Sequence, residues 1–157
     1  MNLTTVKRFT IPRTIVTHTE ENLRRAGRQR LELFVLWSGI VEGDLFVVRS
    51  AHIPPQTSYQ LETGLMVRVE GEALHHLNTW LFDHSETLAI QVHAHPTEAF
   101  HSDTDDTYPI VTADGSISIV AADFCRWGIF SDTSAVYRLS RHRWREVRSP
   151  STLLEVA

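Results

Sequence analysis

A chain of 157 residues with 42% hydrophobic content has room for one compact globular domain with a sizeable core. Its formal net charge of −4 excludes a global basic field, so non-specific nucleic-acid binding is not the expected activity. The lone cysteine, Cys125, excludes a disulfide framework and the Cys-rich structural zinc sets; no apolar run reaches membrane-spanning length and Met1–Thr10 has no secretory pattern, so the expected setting is the cytoplasm, with no membrane partner.

In chain order, Val6–Ile11 predicts a short strand ended by Pro12. Arg13–Arg28 carries Ile15, Val16, Leu23 and Ala26 at loosely helical spacing, with Thr19-Glu20-Glu21 as start signals and Gly27 as a stop. Leu31–Trp37 is too densely apolar to alternate and predicts a strand buried on both faces, with one charge, Glu32, inside it. Glu42-Gly43-Asp44 predicts a turn and Leu45–Val48 the antiparallel partner strand, closing near Pro54-Pro55. Leu65–Glu70 predicts a further strand. Glu72–His84 sets Ala73, Leu74, Leu77, Trp80 and Leu81 at helical spacing, an amphipathic helix packed on a sheet.

Leu88–His93 predicts a strand, Ser102–Asp106 the start of a short helix, Gly115–Ala121 a buried strand, and Phe124–Phe130 and Val136–Trp144 two late strands. The sum is a single α/β domain over residues 1–157, a mixed, mostly antiparallel sheet flanked by helices. Arg138, Arg141, Arg143, Arg145 and Arg148 crowd the C-terminal region, a pattern that usually marks a solvated face.

The chemistry concentrates in His93-Ala94-His95-Pro96, followed by Ser102 and Asp105. At i and i+2 on a strand the two imidazoles share a face, and Pro96 turns the chain so that later residues can return over them. Two imidazole nitrogens and one carboxylate suit zinc, and three protein ligands leave a fourth position open, as catalytic sites do. Asp105 and its neighbour Asp106 are both candidates for the carboxylate. Amide hydrolysis also needs a group to take a proton from water and give it to the leaving amine. Glu32 is the candidate, because a carboxylate in an apolar strand is costly without a partner. His101 adjoins the site, whereas His18, His52 and His142 read as surface or ordinary packing residues, and Cys125 as a small buried apolar one.

Glu32 with Gly39 seven positions on, then His93-x-His95-Pro96 and Ser102-x-x-Asp105, resembles the JAMM motif of the JAB/MPN metallopeptidases. The resemblance runs from about Arg13 to Phe130 and is nearest to bacterial members, although the five residues between Pro96 and Ser102 are one fewer than in the common eukaryotic form. It implies the JAB/MPN fold, related to the cytidine-deaminase fold, and one Zn2+ per chain held by His93, His95 and Asp105. It implies Glu32 as the base and Ser102 as the hydrogen-bond donor to the oxyanion. It also implies a deubiquitinase-like isopeptidase or peptidase acting after the tail of a ubiquitin-like protein. Partners would include that protein and homologues of its activating and conjugating enzymes, in a bacterial pathway used against phages. The rival reading is a non-catalytic scaffold of the same fold that binds a ubiquitin-like partner. A zinc deaminase lacks its Pro-Cys-x-x-Cys ligands here.

Overall fold

The structure, a computed structural model, describes residues 2–61, 64–100 and 110–157. The strands are β1 (Arg8–Ile11), β2 (Phe34–Glu42), β3 (Leu45–His52), β4 (Gln56–Leu61), β5 (Gly64–Val69), β6 (Thr87–Ala94), β7 (Ile117–Ala121), β8 (Ala135–Ser140), β9 (Arg143–Glu146) and β10 (Leu154–Val156). Helix α1 covers Arg13–Arg28 and α2 covers Gly71–His84. Among the described residues one sheet runs in the order β10-β1-β3-β2-β6-β7-β8-β9, and β4 and β5 form a separate hairpin. The pairs β2·β3, β2·β6, β7·β8 and β8·β9 are antiparallel, while β1 pairs β10 and β3, and β6 pairs β7, in parallel. This is the expected α/β architecture with a mixed sheet. No helix among the described residues is long and apolar enough to cross a membrane.

β2 lies central in the sheet and is buried from Phe34 to Gly39, as its unbroken apolar run requires. Val35 and Trp37 point into the larger core with Val16 and Leu23 of α1, Phe9, Ile90, Val92 and Ile119. Leu36 points the other way, against Leu77 and Leu81 of α2 and Val111. The helices therefore cover opposite faces of β2 and β6, a consequence of side-chain alternation along a strand. Gly39 lets β3 approach: a Cβ there would lie 1.9 Å from the Val47 carbonyl oxygen.

Helix α1 has the expected bounds, but Thr19 is no start signal: it is a core residue whose hydroxyl accepts the Trp37 indole N–H at 2.9 Å. Several other elements depart from the sequence reading. The strand expected from Leu31 starts at Phe34, so Glu32 lies in the lead-in to β2 rather than inside a strand. Val136–Trp144 is not one strand but the hairpin β8–β9, whose turn residues Arg141 (φ 50°) and His142 (φ 67°) are both left-handed. That fits a type I′ turn, which the sequence hides because neither residue is Gly, Asn or Asp.

Phe124–Phe130 is not a strand either. Asp123, Phe124 and Cys125 form a 3-10 turn with φ of 51°, 53° and 67°, three successive non-glycine residues in the left-handed region. The turn survives because its surroundings determine it from several sides. Arg24 donates to the Cys125 carbonyl at 3.0 Å, Glu20 accepts the Ile129 N–H at 3.0 Å, and Gly27 gives the room for Phe124 to pack on α1. Arg138 is also no part of a solvated face: its guanidinium donates to the Leu3, Val6 and Gly115 carbonyls, while Arg141, Arg143, Arg145 and Arg148 are exposed.

Candidate metal centre

β6 delivers His93 from the interior of the sheet, and His95 follows one residue past the strand end. The His95 N–H donates to the Ala121 carbonyl at 2.8 Å, which extends the parallel β6·β7 ladder by one bond. The left-handed turn then clamps the segment from the other side: the Phe124 N–H donates to the His95 carbonyl at 2.7 Å and the Asp123 N–H to the Thr97 carbonyl at 2.8 Å. Pro96, which has no N–H to offer a ladder, sits between those two accepting carbonyls.

The two imidazoles converge. His93 Nε2 and His95 Nε2 are 3.1 Å apart, and Glu32 Oε1 lies 3.7 Å from His95 Nε2. Glu32, His93 and His95 are all buried, at 9%, 0% and 6% exposure, and together they offer three ligand atoms within 4.8 Å of one another. The two borderline imidazole nitrogens fit a divalent transition ion, with the Glu32 carboxylate beside them, and Cys-only and all-oxygen alternatives are ruled out by the donor types themselves. Phe34 lines one wall, its ring stacked on His93 with centroids 4.4 Å apart, and Phe100 presents an edge to His95 at 4.9 Å.

The sequence expectations divide three ways here. Glu32, His93 and His95 come together from segments sixty residues apart, as expected. Ser102, Asp105, Asp106 and His101 lie outside the described residues, and so does the short helix expected to start at Ser102. Cys125 is buried and its thiol is pushed up to about 11, first by burial and then by Glu20, so it stays protonated and inert beside the site.

Two positions went unremarked in the sequence, and a third was read otherwise. Gln91, two residues before His93 and 1% exposed, donates to Ser118 Oγ at 3.1 Å and accepts the Val111 N–H at 3.2 Å. It thereby ties Val111 to β6 and β7. Its signal was available: it is the lone polar residue in Leu88–Val92. Gln56 reaches Phe34 from outside the sheet, with no local signal in a polar stretch. His52, expected to be a surface or ordinary packing residue, instead joins Ser38, Ser50 and Glu86 in a hydrogen-bonded cluster at the middle of β2.

No family model matches this chain. Its fold resembles the solution structure of protein DSY2949 from Desulfitobacterium hafniense, with a TM-score of 0.63 over 95% of this chain and 92% of that one; at 12% identity the likeness concerns the fold alone. The chain is 37% identical over 150 residues to a protein of Sinorhizobium fredii (strain NBRC 101917 / NGR234), an alignment that covers 95% of this chain and 91% of its relative. An identity of that size over nearly the whole of both chains means that this protein belongs to the family of that relative, the probable metalloprotease y4jG.

Proposed function

We propose that this protein is a zinc-dependent JAB/MPN peptidase or isopeptidase that hydrolyses the amide bond after the C-terminal tail of a ubiquitin-like protein. The observation that carries the reading is the buried convergence of Glu32, His93 and His95, in a chain whose relative is a probable metalloprotease. His93, His95 and Asp105 would hold the zinc, which when bound would supply Lewis acidity toward the scissile carbonyl and water. Glu32 takes the proton of the attacking water and passes it to the departing amine. The 3.7 Å between its Oε1 and His95 Nε2 puts it beside the donors rather than among distant charges. Ser102 donates to the oxyanion of the tetrahedral intermediate. The ubiquitin-like substrate, and a role in a bacterial conjugation pathway directed against phages, rest on the likeness of the Glu32, His93-x-His95-Pro96 and Ser102-x-x-Asp105 pattern to that family.

The test is to incubate the zinc-loaded protein with a ubiquitin-like protein fused through its tail to a reporter. Cleavage is expected, and a chelator should stop it. Glu32→Gln should lower the rate by roughly 10²- to 10⁴-fold, the usual worth of a general base, while the zinc-to-protein ratio holds. Full cleavage by Glu32→Gln would sink the assignment of the base. Tight binding of the fusion with no cleavage by the wild-type protein would favour the scaffold reading.

A further inference from the structure

The entrance to β2 is held by a side chain rather than by a strand. β3 pairs with β2 as far as Leu36↔His52. Two residues further along each strand the same register would set Phe34 opposite Pro54, which has no N–H to give. Gln56 fills the missing rung. Its Oε1 accepts the Phe34 N–H at 2.8 Å, and its Nε2 donates to the Phe34 carbonyl at 3.0 Å and to the Pro54 carbonyl at 3.0 Å. A single carboxamide thus reproduces both hydrogen bonds of an antiparallel pair, with donor and acceptor in the order a neighbouring backbone would offer.

What this rung holds is the metal centre. With its N–H and C=O turned toward Gln56, Phe34 meets its β6 partner His93 as a pair without mutual backbone hydrogen bonds, the kind that brings side chains closest. The Phe34 ring accordingly stacks on the His93 imidazole. Glu32 lies two residues upstream of Phe34, ahead of the first residue of β2. Among the described strand pairings and their substitutes, the Phe34–Gln56 rung is the one nearest to Glu32 along the chain on the β3 side.

We infer that Gln56 is a positioning residue for Glu32: by clamping both backbone groups of Phe34 it sets the placement of the Glu32 carboxylate beside His95. The inference rests on the reading of Glu32 as the base. A carboxylate that must reach both water and leaving amine is sensitive to displacement, since misplacement by about 1 Å can cost on the order of 10²-fold in rate. Gln56 itself touches neither donor nor substrate, and acts through the backbone of Phe34.

Gln56→Met keeps the length of the side chain and removes its hydrogen bonds. In the tail-fusion assay it should lower kcat by about tenfold with KM unchanged and the zinc-to-protein ratio held, at the lower end of the roughly 10- to 100-fold range for groups that orient a metal centre from outside. Amide exchange should rise at Phe34 while Leu36, which stays in the ladder, remains protected. The double variant carries the discrimination. In a Glu32→Gln background the same change should cost less than about twofold further, because the group it positions is gone. A residue that merely supported the fold would lower both backgrounds alike.

Gln56→Glu, which keeps the acceptor for the Phe34 N–H but faces two carbonyls with a carboxylate, should also lose kcat and secures the test if Gln56→Met fails to fold. Independently of any substrate, the visible absorption of the cobalt-substituted protein should move in the direction that Glu32→Gln moves it. Unchanged kcat despite a deprotected Phe34 amide, equal losses in both backgrounds, or an unshifted cobalt spectrum would each overturn the proposal. Retained activity in Glu32→Gln alone would instead overturn the reading of the base on which it stands.

Discussion

The α2-facing side of β2 carries two polar clusters, one at its Phe34 end and one toward Ser38 at its middle, and the two are built from similar parts to opposite purpose. At the Phe34 end, Glu32, His93 and His95 converge with two Nε2 atoms 3.1 Å apart and a carboxylate oxygen at 3.7 Å. At the Ser38 end, Ser38 Oγ meets His52 Nε2 at 2.7 Å and donates to Glu86 at 2.7 Å, and Ser50 donates to the second Glu86 oxygen at 3.1 Å. Between them lies the apolar contact of Leu36 with Leu77, Leu81 and Val111, which keeps the clusters apart.

The hydroxyls make the difference. A serine can donate to a carboxylate and accept from an imidazole at once, so the Ser38 cluster closes on itself and its hydrogen-bond roles are consistent. Two imidazole nitrogens aimed at one point have only a proton or a cation to share, and that is the geometry of a ligand site. A histidine and a glutamate near each other in a fold are therefore not informative alone; what they point at is.

Removing one of the two converging imidazoles tests the first half of that contrast most severely. His93→Ala should drop the metal-to-protein ratio toward zero and cleavage to background, leaving the Ser38 cluster intact, as elemental analysis beside the activity assay would show. Retention of one metal per chain would mean that the His93 nitrogen is not a ligand.

The second half should respond in stability and not in activity. Glu86→Ala leaves Ser38, which is fully buried, and Ser50 without their acceptor, at a cost of about 1–3 kcal/mol. For a chain of this length that is roughly 2–4 °C of Tm per kcal/mol, measurable by thermal denaturation, with metal content and kcat unchanged. A large loss of kcat would show that the two ends are coupled through Leu36.

The smallest effect is a pH dependence. Burial lowers the pKa of His52 from its ordinary 6.5, a shift that Glu86 opposes and His84 reinforces. Above 6.5 the ring is neutral in folded and unfolded chains alike and contributes nothing. As pH falls through that value the unfolded chain takes up the proton first, so stability declines toward the lower folded pKa. His52→Gln should flatten part of that decline in denaturation midpoints followed from neutral pH to about pH 5. An unchanged slope would mean that burial at the Ser38 end does not penalise the charged ring.

The sequence showed more of the metal centre than of the sheet around it. His93-x-His95-Pro96 is local: a strand's period of two places both rings on one face, and proline ends the strand, whatever the rest of the chain does. The helix over Arg13–Arg28 and the hairpin at Gly43-Asp44 were legible for similar reasons, the latter because Gly43 takes φ of 66°. The turn at Asp123-Phe124-Cys125 was not. Phe124 and Cys125 read as apolar strand residues, and contacts with α1 and with the carbonyls of His95 and Thr97 hold three left-handed conformations in a row.

By itself, then, the sequence determined an α/β chain with a β2-like apolar strand, two helices, and a pair of histidines sharing one face at the end of a strand, since each of these follows from periodicity or from residue type. Only the tertiary structure decided that Glu32 stands before a strand and not in one, that Gln56 completes the rung which Pro54 cannot, and that Ser38, His52 and Glu86 close into a network. Those are pairings between residues far apart in the chain, and their free energy depends on distances that no local pattern encodes.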